Sequence, residues 1–279
     1  MQSLKIPVFY HVPKNGGTYI LSRLILGARY YRKNFREWLP IQTLNVVKNG
    51  FEIFRLILFN KSNLFEDEKD YTSIELDNFL NLNLSKNYYL FALVIEPHGF
   101  KVRKIIFNYL SDLNLEFNQF LIMREPFSRA QSLFNYLKSQ MSKHEKTHSI
   151  IKAETLEDFI SLYFEDSWII RNLTNVKDEI TQKDFEKVKN ELDKYFLVSD
   201  IENINSALSK VFKKCYNLDI EKLKSSKPLE DSTCIQNTNI YHKIKIESLT
   251  EEMRKLFLNK TYYDRALYNF FLKKNKESI

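Results

Sequence analysis

A short segment, His11-Val12-Pro13-Lys14-Asn15-Gly16-Gly17-Thr18, constrains the fold more than any other part of the chain. The apolar run Ile6 to Val12 ahead of it reads as a buried strand. Behind it, Ile20, Leu21, Leu24 and Ile25 recur at helical spacing. Strand, tight turn and helix therefore follow one another in order. Paired glycines at such a turn expose successive backbone N–H groups, and with the helix N-terminus they form a nest for an anion. Lys14 adds a mobile positive charge and Thr18 a hydroxyl. A Walker A loop carries its lysine after the second glycine. Here the lysine comes before both, which argues against an NTP-hydrolysing loop.

Further strands and helices alternate along the first half. Tyr88 to Ile95 is apolar throughout and is stopped by Pro97. Phe100 to Leu113 has its apolar residues on one side of a helix. Phe117 to Met123 is a third buried strand, and Pro126 sits where a helix can begin, continued by Ala130, Leu133, Phe134 and Leu137. Asn49-Gly50 between apolar runs predicts a hairpin, and residues 61–70 are polar enough for a loop. Later, Thr181-Gln182-Lys183-Asp184 starts a helix, with Asp in place of the usual Glu or Gln of a capping box. Phe196 to Ser199 is a short strand. The expected fold is α/β: a P-loop-like parallel sheet flanked by helices, with a mainly helical C-terminal half. With 5 Gly and 6 Pro in 279 residues there is no long flexible linker, so residues 1–279 are expected to form a single domain.

The third strand runs into Arg124-Glu125-Pro126-Phe127-Ser128-Arg129-Ala130-Gln131-Ser132. An arginine leaving a strand end can fork onto a phosphate. Taken with Pro-Lys-x-Gly-Gly-Thr upstream, this segment resembles the nucleotide-binding motifs of the carbohydrate sulfotransferases, particularly the heparan 2-O type and its relatives. The resemblance implies the donor PAPS (3′-phosphoadenosine 5′-phosphosulfate), with PAP as product. It implies that Lys14 contacts the bridging oxygen and the transferring sulfuryl group. The backbone of Asn15, Gly16, Gly17 and Thr18 would hold the 5′-phosphate, and Arg124 and Ser132 the 3′-phosphate. Less sharply, Thr155 to Ile160 and Asp166 to Leu173 resemble the family's middle helices. Tyr263-Asp264-Arg265-Ala266-Leu267-Tyr268 resembles its closing helix. Gln236-Asn237-Thr238 corresponds to a late loop over the nucleotide, which makes Asn237 a donor contact.

The chain departs from the family where many relatives carry a Gly-His pair on the strand leading to the acceptor. The usual histidine position falls near Ile95. Glu96 and His98 are the nearby groups able to take a proton, and the choice between them stays open. The resemblance implies in-line transfer of sulfuryl to a hydroxyl, less readily an amine, of an acceptor, expected to be a glycan or glycoconjugate. Lys14 would stabilise the leaving phosphate.

The formal net charge of +7 suits an anionic ligand. A nucleic-acid reading has only this charge behind it, with no aromatic–glycine RNA-binding motif. Cys215 and Cys234 form neither a disulfide framework nor a CxxC pair, and read as reduced structural thiols. No signal-peptide pattern and no span of membrane length is present, so the expected location is cytoplasmic. His144-Glu145-Lys146-Thr147-His148 matches the HExxH zincin signature. Its polar flanks and internal lysine suit a metal helix poorly, and no cluster demands a metal. A zinc metalloprotease and a non-catalytic nucleotide-binding protein are the alternatives.

Overall fold

The computed structural model describes residues 5–35, 41–60, 72–82, 84, 88–111, 113, 115–141, 153–174, 176–219 and 244–277. In chain order the elements begin β1 (Lys5–Tyr10), α1 (Gly17–Phe35), β2 (Ile41–Lys48), β3 (Phe51–Asn60), β4 (Thr72–Glu75) and α2 (Leu76–Leu80). There follow β5 (Tyr88–Ile95), α3 (Arg103–Ser111), β6 (Glu116–Met123), α4 (Pro126–Met141), α5 (Leu156–Leu162) and α6 (Trp168–Thr174). Last come α7 (Gln182–Leu192), β7 (Leu197–Asp200), α8 (Ile204–Tyr216), α9 (Glu251–Lys260) and α10 (Tyr262–Glu277). The chain divides into two compact units. The first comprises Met1–Val12, Gly16–Ile122 and Leu192–Leu229; the second comprises Pro13–Asn15, Met123–Glu191 and Glu230–Ile279.

The first unit holds a seven-stranded sheet in the order β4-β2-β3-β5-β1-β6-β7. β1 is central and parallel to both neighbours, β5 and β6. A strand covered on both faces should be apolar along its length, and β1 is buried from Ile6 to Tyr10. The sheet is mixed rather than parallel throughout: β2 runs antiparallel to β3, and β3 antiparallel to β5. The Asn49-Gly50 turn causes this. Both residues have positive φ, 53° and 78°. That is the backbone of a two-residue hairpin, whose twist matches that of the flanking strands. A hairpin reverses the chain, so β2 and β3 cannot both join the parallel set.

Helices α1 and α8 cover the central strands. Ile20, Leu24 and Ala28 of α1 pack with Leu208, Val211 and Phe212 of α8 in the main core. They approach so closely that a Cβ on Gly27 would lie 2.1 Å from the Phe212 ring. Tyr216 stacks on Phe91 at 4.2 Å between centroids and donates its hydroxyl to the Phe91 carbonyl. Cys215 is buried beside it, and burial pushes its thiol up to about 12. Such a thiol is inert, in keeping with a structural cysteine. Cys234 lies outside the described residues.

The second unit is helical. Phe127, Phe134, Phe159, Phe164 and Phe257 form its core. Its helix ends are satisfied locally. Thr155 accepts from the Asp158 amide at 3.1 Å, and Asp158 accepts from the Thr155 amide at 2.9 Å. Thr181 and Asp184 repeat the arrangement ahead of α7. Aspartate thus closes a capping box as glutamate does. The Lys260 ammonium donates to the carbonyls of Ile160, Ser161 and Phe164 at 2.8, 2.9 and 3.2 Å, which caps the end of α5. No helix among the described residues is long and apolar enough to cross a membrane.

Candidate functional site

The glycine turn follows β1. Lys14 has φ +67° and Gly16 φ +82°, on either side of the fully buried Asn15. Left-handed backbone at a residue with a Cβ costs about 1–2 kcal/mol, so Lys14 is held there by its surroundings. Gly16 needs to be glycine chiefly for its backbone. Its φ is positive, and a Cβ would lie 2.8 Å from Ile204 Cδ1. Gly17 opens α1 and needs to be glycine for a different reason: its Cβ would lie 1.9 Å from His11 Nε2. Thr18 is exposed, and the first turn of α1 has no acidic residue. The main-chain oxygen of Gly16 accepts from the Ile20 amide at 3.0 Å, so the amides before Ile20 have no acceptor within the helix.

In the second unit, Arg124 Nη1 donates to the main-chain oxygen of Lys14 at 2.9 Å, and Arg124 Nε donates to Ser128 Oγ at 3.0 Å. One guanidinium therefore joins Pro13–Asn15 to the start of α4. The Lys14 ammonium lies 4.2 Å from the centre of the Tyr136 ring. Glu125 caps α4, accepting from the amides of Phe127 and Ser128 at 3.0 and 2.7 Å. Ser132 lies on α4, half-buried. Arg129, the second arginine of the motif, points into the protein. It is 3% exposed and lies 4.5 Å from the Trp168 ring centre. The carboxylates that act on it are Asp264, the acid of the closing-helix motif, and Glu165. Burial pushes the Asp264 carboxyl up to about 6, against the pull of Arg129 and of the amides of Trp168 and Ile169. Burial also lowers the Arg129 guanidinium from its usual range. Both groups are buried, and Asp264 accepts from the amides of Trp168 and Ile169 at the start of α6.

At the ends of β1 and β5 the first unit holds a second group of polar residues. Glu96 is buried. Its Oε2 meets His11 Nδ1 at 2.6 Å, and its Oε1 lies 4.0 Å from Arg55 Nη2. Arg55 also binds Glu52 at 2.6 Å and Asn45 at 2.9 Å. The Glu96 amide donates to the Ile53 carbonyl at 3.0 Å. The turn after Glu96 packs so tightly that a Cβ on Gly99 would lie 1.8 Å from the Ile53 oxygen. His98 is exposed and rests against the Phe51 ring, with centroids 4.8 Å apart.

Of the residues picked out in the sequence, Lys14 and Arg124 are brought together, whereas Glu96 and His98 part, one inward and one outward. Sequence reasoning missed Ser128 and His11. His11 directly precedes the turn, but its partner depends on which strand lies beside β1. Asn237 and the segment His144 to His148 lie outside the described residues. Compared with models of known protein families and with curated proteins, the chain matches none.

Proposed function

We propose that the chain is a sulfotransferase that moves a sulfuryl group from PAPS to a hydroxyl of an acceptor, expected to be a carbohydrate. The observation that carries this reading is the bond from Arg124 to the Lys14 carbonyl. It joins the two sequence motifs that resemble a 5′-phosphosulfate loop and a 3′-phosphate strand end. Two motifs 110 residues apart have a reason to touch when one ligand spans both. The strained backbone at Lys14 and the first turn of α1, which lacks an acid, suit an anion.

In this reading β1, the glycine turn and α1 act as a P-loop-like unit. The amides of Asn15 to Thr18 cradle the 5′-phosphate, and Arg124 with Ser132 receives the 3′-phosphate. The Lys14 ammonium leaves the Tyr136 face, where an exposed cation–π contact contributes only about 0.5–1 kcal/mol. It then neutralises charge developing on the leaving phosphate. The test has two parts. Calorimetry should find PAP bound about ten- to a hundredfold more tightly than 5′-AMP, the effect of one charge-assisted contact. Labelled PAPS offered to a panel of glycans and simple alcohols should yield labelled product and PAP. Equal affinity for PAP and 5′-AMP would sink the reading, and PAP binding without transfer would leave a nucleotide-binding protein.

A further inference from the structure

His11 and Glu96 are neighbours because of strand register. β1 and β5 are parallel, and Tyr10 pairs with Ile95. The next residue on each strand is His11 and Glu96, and the His11 amide still donates to the Ile95 carbonyl at 2.9 Å. Their side chains meet at 2.6 Å, Nδ1 to Oε2. A carboxylate can only accept, so the proton in that bond belongs to His11 Nδ1. With Nδ1 carrying the proton and the ring uncharged, the lone pair lies on Nε2.

Nε2 is the ring atom turned toward the glycine turn. It is the nearest atom to the position a Gly17 Cβ would take, at 1.9 Å. Gly17 thus lacks a side chain where the imidazole lies. The His11 side chain is 25% exposed and that of Glu96 11%, so water reaches the ring more than the carboxylate behind it. Arg55 faces the other oxygen of Glu96 and is itself held by Glu52. The order is Arg55, Glu96, His11, with the ring at the open end. A carboxylate orienting an imidazole whose far nitrogen faces the reaction is a recurrent arrangement for a general base.

We propose that His11 is the general base of the transfer and that Glu96 is its positioning residue. This rests on the sulfotransferase reading above. In the step, the acceptor O–H gives its proton to His11 Nε2 as the acceptor oxygen forms a bond to sulfur. The bond from sulfur to the bridging oxygen of the 5′-phosphosulfate breaks, and its electron pair stays on the phosphate of PAP. The imidazolium formed is neutralised by Glu96. Glu96 therefore acts through His11 rather than on the acceptor, and His98, outside this array against Phe51, takes no part.

The experiment measures labelled sulfuryl transfer from PAPS to the alcohol panel and to water, with PAP affinity measured in parallel. His11→Ala should lose turnover by about a hundredfold or more, with PAP affinity within about threefold of wild type. Free imidazole added to His11→Ala should restore part of the rate, which a purely structural loss would not allow. Glu96→Gln should slow turnover by about tenfold or more without raising KM, and the double variant should be no slower than His11→Ala alone. Near-normal turnover in His11→Ala overturns the proposal. So does an equal loss of PAP affinity, which would make His11 a prop for the turn, and so does loss of turnover in His98→Asn instead. Failure of the wild-type protein to bind PAP is a different result and removes the sulfotransferase reading itself.

Discussion

Arg124 donates through Nη1 to the main-chain oxygen of Lys14 at 2.9 Å, so the arginine that follows β6 holds the Lys14 backbone. Its Nε donates to Ser128 at the same time. A lysine at this position has one ammonium and cannot hold both acceptors in that fork. Arg124→Lys is expected to lower PAP affinity about ten- to a hundredfold, the loss of one charged contact. Ser128→Ala should cost less than about tenfold, as for a neutral bond. Calorimetry with PAP checks both.

Lys14 combines a positive φ with an ammonium resting on Tyr136. Replacing the side chain separates backbone from charge. Lys14→Ala keeps a Cβ at φ +67°, and Lys14→Gly removes the strain as well. If the ammonium acts on the leaving phosphate, both variants should be slow to the same degree, with kcat falling much further than PAP affinity. Steady-state kinetics at saturating PAPS, beside PAP titrations, decides it. A glycine variant that keeps full turnover would make Lys14 a turn residue only.

Much of the central sheet is legible in the sequence because its strands are buried on both faces. Tyr88–Ile95 is apolar from end to end and forms β5 with those same limits. The hairpin is legible from Asn49-Gly50, since the two positive φ angles favour those residue types. Strand order is not legible. It comes from long-range pairing, and no local pattern shows that β3 lies antiparallel beside β5. The same gap hides His11: its identity is plain, but its carboxylate partner is 85 residues away. Arg129 is hidden in the same way: its burial against Trp168 and the influence of Asp264 from the last helix come from long-range packing. Lys14, Arg124 and the glycines are legible because turn geometry and charge are local properties.

Gly16 is a position where the turn requires a positive φ. An alanine there must adopt φ near +82° and place a Cβ 2.8 Å from Ile204 Cδ1. The backbone alone costs about 1–2 kcal/mol. The Ile204 contact adds little, since a terminal methyl can rotate aside. Gly16→Ala should therefore lower the urea midpoint by that free energy divided by the slope, with the slope unchanged, because the compactness of neither end state changes. Ile204→Ala in the same background should not recover the loss, because the strain lies in φ.

Asp264 gives the stability curve a pH dependence whose sign can be worked out. Burial lifts its carboxyl from an ordinary value of 3.8 to about 6, although Arg129 and two amides pull it down. The folded protein thus holds the proton more tightly than the unfolded chain does. Stability from the protonated form is fully present below about pH 4 and is lost as pH rises through about 6. The interval corresponds to roughly 3 kcal/mol at most. Asp264→Asn keeps the neutral shape and cannot titrate. Other groups shift both proteins alike, so the difference between wild type and variant isolates this carboxyl. Chemical denaturation from pH 4 to 7.5 should show wild type losing ground to Asp264→Asn as pH rises, most steeply near about pH 5 and levelling off above about 6. A flat difference, or one in which wild type gains on the variant, would mean that Arg129 holds Asp264 ionised throughout.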